Sequence, residues 1–335
     1  MQLVQNEEQN NAPQNKGVKG WFETIGNRGG IPTIREQFVR ELENYECISA
    51  TTKEYKQAKH YDLQHYVDVP LIDKNRVKVK KGFKGIDFYH ANFITGGCYP
   101  LICGQGPINK STYQFWALVI EQNCGVVVQL CKDNEGGEIK CGNYLNSGTT
   151  KYGQNITIKI KEQTVYLPSN NDVRKTVIEA GYKNKKFIEV IHLLYLGWPE
   201  NDVPFSPSSF CQFNKYIRDL AESRKCTVFC HCSAGVGRSG TFAGVQLAIQ
   251  TLIKLNREVQ IATIFLWLRD QRACSVQTDL QYLFIHRAVI EEAINCGLLG
   301  KNNKKVSAFI HEYDQLVKRK REERRILMEK IRGDK

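Results

Sequence analysis

Cys232 and Arg238 lie six positions apart in the segment Val228-Phe-Cys-His-Cys-Ser-Ala-Gly-Val-Gly-Arg-Ser-Gly-Thr241. The segment reads as a short apolar strand, a loop containing Gly235 and Gly237, and the first turn of a helix. The glycines let the backbone of Ser233, Ala234, Gly235, Val236 and Gly237 curl until its N–H groups point inwards, and the helix start adds partial positive charge. A thiol in such an anion cradle is pushed towards thiolate, which makes Cys232 a nucleophile at neutral pH. Arg238 can fold back over the loop mouth and hold two oxygens of a tetrahedral oxyanion. Ser239 can donate to the sulfur when it must leave. A nucleophile and an arginine so arranged suit phosphoryl transfer through a cysteinyl-phosphate. The bare Cys-x5-Arg spacing is weak, since a chain this basic contains some by chance, but the full string between a strand and a helix is specific. No metal is needed. The adjacent Cys230-His231-Cys232 makes a poor zinc site, because neighbouring residues rarely converge on one tetrahedral ion and no second ligand pair is visible.

The elements that must position this loop follow from periodicity. Cys226-Thr-Val-Phe-Cys230 reads as a buried strand, and Phe242, Val245, Ile249, Leu252 and Ile253 as the helix after the loop. Helices are also expected over 34–47, near 51–58, over 115–123, and where Phe210, Phe213, Ile217 and Leu220 recur. Strands are expected at 77–79, 86–94, 126–130, 155–160 and 187–196. Helices and strands alternate throughout, so the class is α/β or α+β around one sheet.

The 335 residues carry 47 Lys+Arg against 35 Asp+Glu, a formal +12, with 41% hydrophobic residues. This is a globular composition able to bury a large core. No apolar run approaches the roughly 18 to 20 residues that cross a bilayer. The start, MQLVQNEEQN, is not built as an export signal. Twelve scattered cysteines then read as reduced thiols of a cytoplasmic protein. Residues 1–20, rich in Asn and Gln, are expected to form a disordered arm, and 21–300 the catalytic domain. Residues 301–335 carry twelve Lys+Arg against six Asp+Glu and read as a basic helical tail. Its apolar stripe suggests a docked helix with a solvated charged end. Contact with nucleic acid is not expected, because acidic residues interrupt the basic run.

Further landmarks stand in a recognisable order. They are Tyr66-Val-Asp68-Val69, Asp87-Phe-Tyr-His-Ala-Asn92, Gln105-Gly-Pro107, Phe115-Trp116, Glu135, Lys140, Trp198-Pro-Glu200, HCSAGVGRSGT at 231–241 and Gln277-Thr-Asp-Leu-Gln281. Together they resemble the phosphotyrosine-specific protein tyrosine phosphatases, single-domain non-receptor type, over roughly residues 21–300. The resemblance implies the cysteine-phosphatase fold, one highly twisted mixed β-sheet flanked by helices. It implies hydrolysis of phosphotyrosine in proteins by a monomer, without cofactor. It also implies roles: Tyr66 as pocket wall, Asp68 fixing the peptide backbone, Glu135 orienting Arg238, Lys140 near the substrate, Trp198 binding substrate from a mobile lid, and Gln277 and Gln281 holding the hydrolytic water. In overall style the chain is similar to the tyrosine phosphatases of polydnaviruses (bracoviruses), which would place its substrates among host-cell signalling proteins.

Two departures matter. The lid acid is Glu200 where the family usually has Asp, and a displacement of about 1 Å can cost about a hundredfold in rate. Slow turnover is therefore expected, with Asp202 as a substitute acid to consider. Residues before Tyr66 read Asp62-Leu-Gln-His65 instead of the family's Lys-Asn-Arg. An alternative function is a pseudophosphatase that binds and traps phosphotyrosine proteins.

Overall fold

The computed structural model describes residues 16–79, 87–146, 148–153, 155–167, 169–183 and 186–333. In chain order its elements are α1 (Lys16–Asn27), α2 (Gly30–Gln37), β1 (Arg76–Lys78), β2 (Phe88–Ile94), β3 (Leu101–Gly104), α3 (Thr112–Glu121), β4 (Cys124–Gln129), β5 (Asn134–Glu135) and β6 (Glu138–Ile139). There follow β7 (Thr149–Tyr152), β8 (Ile156–Leu167), β9 (Asn170–Tyr182), β10 (Lys186–Tyr195), α4 (Pro207–Arg224), β11 (Thr227–His231), α5 (Arg238–Ala248), α6 (Ile261–Arg269), α7 (Asp279–Asn295) and α8 (Lys304–Gly333).

Among the described residues nine strands make one mixed sheet in the order β1-β2-β3-β11-β4-β10-β9-β8-β7, and β5 and β6 form a separate hairpin. β11 runs parallel to β3 and β4, and β10 parallel to β4, while the flanking pairs are antiparallel. All of β4 is buried, as are Val228 to His231 of β11. Strands covered on both faces explain why 126–130 and 226–230 read as continuous apolar runs. α3 packs on β2, β4, β8 and β9, and α4 and α5 pack on β3, β4, β9 and β11 with α6 and α7 behind them. The anion loop leaves the carboxyl end of β11, at the sheet's centre, and enters α5.

Several boundaries differ from expectation. The polar arm falls outside the described residues up to 15, but from Lys16 the chain is helical, with Val18, Trp21 and Phe22 buried. The helix expected over 34–47 stops at Gln37 and passes into a π-helical turn, Phe38–Leu42. Near 51–58 there are turns, because the Asp73 carboxylate takes the N–H groups of Lys53 and Glu54 at 2.7 and 3.1 Å. Such side-chain bonding offers the backbone a partner that a helix would otherwise supply. The strand expected from Ile86 begins at Phe88, and 86 itself lies outside the described residues. β9 carries no alternating signal, since Asp172, Arg174, Lys175 and Glu179 interrupt its apolar positions. All twelve cysteines are unpaired.

Candidate active site

Four tertiary contacts shape the anion loop. Gly235 has φ +71°, and a Cβ there would stand 1.9 Å from the Gly104 carbonyl oxygen, so only glycine fits beside the end of β3. The loop's outward carbonyls are taken up from behind by the buried Arg272, which donates to Gly235 O at 2.5 Å and Ala234 O at 3.1 Å. Ser233 O accepts from the Gly106 N–H at 2.7 Å, and Val236 O from Val276 at 2.9 Å. With the carbonyls turned away, the loop is free to aim its N–H groups inwards, as an anion cradle requires.

Cys232 lies on the loop floor, 4% exposed. Burial would raise its thiol, but the Arg238 charge, the Ser239 hydroxyl and the N–H groups of Ser239 and Gly235 outweigh burial and hold it below the ordinary value. The Ser239 hydroxyl is buried, has no oxygen or nitrogen partner among the described residues, and helps lower the Cys232 thiol. Behind the nucleophile, burial lowers His231 to about 4. The neutral ring donates from Nδ1 to Cys232 O at 3.0 Å and accepts at Nε2 from the Tyr144 hydroxyl at 2.7 Å. The backbone carbonyl can only accept, which sets this tautomer.

Arg238 is held in a fork. Its Nη1 and Nη2 donate to the two carboxylate oxygens of Glu135 at 2.8 and 2.7 Å, and Nη1 also donates to Trp198 O at 3.3 Å. Burial raises the Glu135 carboxyl, yet the Arg238 bonds and charge lower it overall. The same ion pair raises Arg238, against its own desolvation. Lys140, immediately after the hairpin, is 4% exposed along its side chain and sits 2.5 Å from both Glu138 and Glu200. Those carboxylates hold its ammonium above the ordinary value in spite of burial. Its carbonyl accepts from Ser233 Oγ at 2.8 Å, so that hydroxyl in turn accepts from Tyr66 at 2.8 Å. Tyr66 stands half-buried with the His65 ring tilted against it at 4.4 Å, and Asp68, two residues on, is exposed.

The lid connects Trp198 to α4. Trp198 is buried against Phe210 and Phe284, and Phe205 N bonds Gly197 O at 2.8 Å, closing the loop at its base. Ser206 caps α4 by accepting from Ser209 N at 3.1 Å. Asp202 does not face the anion loop. Its carboxylate is buried against the Val203 N–H at 2.7 Å and Arg321 at 2.9 Å, which removes it as a substitute acid.

Gln277 and Gln281 reach the loop from the start of α7. Thr278 caps that helix through the Gln281 N–H at 3.1 Å, and Gln281 Oε1 accepts from Gln277 N at 2.9 Å. A Cβ on Gly237 would stand 2.3 Å from Gln277 Oε1 and 3.4 Å from Gln281 Nε2, so both amides lie against the loop mouth. Arg269 ties this segment down through Ser275 O and Val276 O, both at 2.9 Å.

Thus Cys232, Ser233, Ala234, Gly235, Val236, Gly237, Arg238, Ser239, Glu135, Lys140, Tyr66, Trp198, Glu200, Gln277 and Gln281 meet around one loop, while Asp68 is exposed two residues beyond Tyr66. Sequence reasoning missed the support given by Arg272, Tyr144 and Glu138. Only Arg272 had any signal, its place just ahead of the Gln277 segment. The assembled groups can attack a tetrahedral anion in line, neutralise its charge and deliver a proton from the lid side.

Known proteins resemble this chain over most of its length. The sequence profile of the family described as "Protein-tyrosine phosphatase" matches residues 60–291. The chain is 32% identical over 269 residues to "Tyrosine-protein phosphatase Lar-like" of Caenorhabditis elegans, covering 78% of this chain and 12% of that protein. It is 31% identical over 254 residues to the human "Receptor-type tyrosine-protein phosphatase alpha", covering 73% and 31% respectively. For the human "Tyrosine-protein phosphatase non-receptor type 9" the figures are 31% over 262 residues, 71% and 43%. The chain therefore spans less than half the length of these relatives. Among the described residues no helix is long and apolar enough to cross a membrane. With the matched profile enclosing the anion loop, the Glu135 hairpin, the lid and Gln277 alike, the chain belongs to the protein-tyrosine phosphatase family.

Proposed function

We propose that this chain hydrolyses phosphotyrosine in proteins through a cysteinyl-phosphate. The observation that carries the reading is the lowered Cys232 thiol on the floor of a loop whose arginine is already locked by Glu135. The Cys232 thiolate attacks phosphorus, forming the S–P bond as the tyrosyl P–O bond breaks. Arg238 and the loop N–H groups take the charge on the equatorial oxygens. Glu200 gives its proton to the departing phenolate. In the second step the Glu200 carboxylate removes a proton from a water held by Gln277 and Gln281. The water oxygen attacks phosphorus, the S–P bond breaks, and Ser239 bonds the released sulfur while inorganic phosphate leaves. The lid position of Glu200, paired with the Lys140 that also anchors Ser233, supports its role. Tyr66, fixed to Ser233, supports a slot for an aryl phosphate, with Asp68 holding the peptide beside it.

The test is phosphate release by the full chain from a phosphotyrosyl peptide and a phosphoseryl peptide, with Cys232→Ser as control. Release from the first alone, lost in the variant, is expected. Absent release with retained phosphopeptide binding would instead make the chain a phosphotyrosine trap.

A narrower reading is that of a monomeric viral enzyme working in host-cell cytoplasm on signalling phosphoproteins. It is supported by the abundant Asn and Lys and by the lid glutamate. The net charge of +12 supports acidic flanks around the phosphotyrosine, through steering. Capture of tyrosine-phosphorylated proteins from host-cell extract by Cys232→Ser, released by vanadate, would test it.

A further inference from the structure

The basic tail contains a device that its composition hides. α8 docks on the body through Val306, Phe309, Tyr313, Leu316 and Val317, all buried. One turn further on, Arg321 Nε donates to Asp202 Oδ2 at 2.9 Å, and its Nη2 reaches Val203 O at 3.0 Å, Pro204 O at 3.4 Å and Asp202 Oδ1 at 3.5 Å. Its guanidinium also lies 4.9 Å from the ring centre of Phe205. Arg324 Nη2 donates to Asn201 O at 2.5 Å, and its Nη1 lies 3.5 Å from Glu200 O and 3.6 Å from Asp202 Oδ2. Two side chains three residues apart thus touch every lid residue from Glu200 to Phe205.

The neighbouring charges of α8 behave otherwise. Arg319 and Lys320 pair with Glu323, and Arg325 with Glu322 and Glu329, all within the helix. Exposed pairs of that kind contribute little. Asp202 is different, because its side chain is 5% exposed and a buried carboxylate needs a countercharge. Trp198 Nε1 donates to the Asp202 carbonyl at 2.7 Å, so the knot reaches the residue whose own carbonyl meets Arg238.

We propose that Arg321 and Arg324 are positioning residues of the lid, holding Glu200 at the mouth of the anion loop through Asp202 and the lid carbonyls. The proposal rests on Glu200 being the lid acid, and the experiment separates the two. It compares kcat/KM, which reports formation of the cysteinyl-phosphate, for a phosphotyrosyl peptide and for 2,4-dinitrophenyl phosphate, whose acidic phenol leaves without a proton. Full-length Arg321→Ala/Arg324→Ala is expected to lose about tenfold or more on the peptide and less than about twofold on the dinitrophenyl ester. Asp202→Asn should lose selectively on the peptide as well, and Arg321→Lys/Arg324→Lys should recover part of the loss. Glu200→Gln is the reference, with a larger loss of the same selectivity. Equal losses on both substrates, or none, while Glu200→Gln remains selective, would overturn the clamp and leave the lid acid standing. An unselective Glu200→Gln would remove both. Should the double alanine variant fail to fold, Asp202→Asn and the lysine variant carry the same decision.

Discussion

Glu135 and Arg238, 103 residues apart in the chain, are joined by two parallel bonds of 2.8 and 2.7 Å. Both side chains are nearly excluded from solvent, at 13% and 6% exposure. The fork fixes the plane of the guanidinium before any phosphate arrives, so ordering it costs nothing during the reaction.

Glu135→Gln keeps the shape but removes the countercharge from a buried arginine. It is expected to lower stability by about 3 kcal/mol and kcat/KM by about a hundredfold. Urea unfolding and phosphotyrosyl-peptide kinetics check both. An unchanged kcat/KM would show that Arg238 holds its pose without the hairpin.

Arg238→Ala removes the largest influence that lowers the Cys232 thiol, leaving burial to push it up. Alkylation of Cys232 by iodoacetamide, followed by mass spectrometry of its peptide across pH, should show a midpoint moved to higher pH. If the midpoint stays, the loop N–H groups and Ser239 suffice for the thiolate.

Arg272→Met takes away the donors that satisfy Ala234 O and Gly235 O. Each buried carbonyl left unpaired costs about 1–3 kcal/mol. The variant should therefore unfold at lower urea and, where folded, bind vanadate more weakly than the parent chain. Parental vanadate affinity would mean that the loop keeps its shape unaided.

Buried histidines make the fold acid-sensitive. Burial lowers His90, His192 and His286 to about 3 and His231 to about 4, against 6.5 for a free ring. Between those values the unfolded chain binds more protons than the folded one, so stability falls as pH falls from about 7 towards 4. The slope approaches about 1.4 kcal/mol per pH unit for each histidine. The urea midpoint at pH 5 should lie clearly below that at pH 7, and equal midpoints would contradict the neutral buried rings.

Much of the site was legible before any fold was known, because its chemistry sits in one contiguous stretch. Cys232 to Ser239 bring nucleophile, glycines, arginine and hydroxyl together within one turn between β11 and α5, so local sequence order dictates their proximity. Strands β4 and β11 were equally legible, since burial on both faces writes an unbroken apolar run. β9 was not, because only pairing with β8 and β10 makes its mixed residues a strand. The role of Asp202 was open to misreading for the same reason: nothing near it in sequence supplies the arginine that buries it. Glu200 was visible as a carboxyl beside Trp198, but its position depends on Lys140 from the far side of the β5–β6 hairpin and on two arginines from the last helix. Sequence by itself determined which groups are candidates for the chemistry, because each needs a particular side chain. Tertiary structure alone decided how they are held, because carbonyl, carboxylate and guanidinium partners distant along the chain meet only once the sheet and α8 are in place.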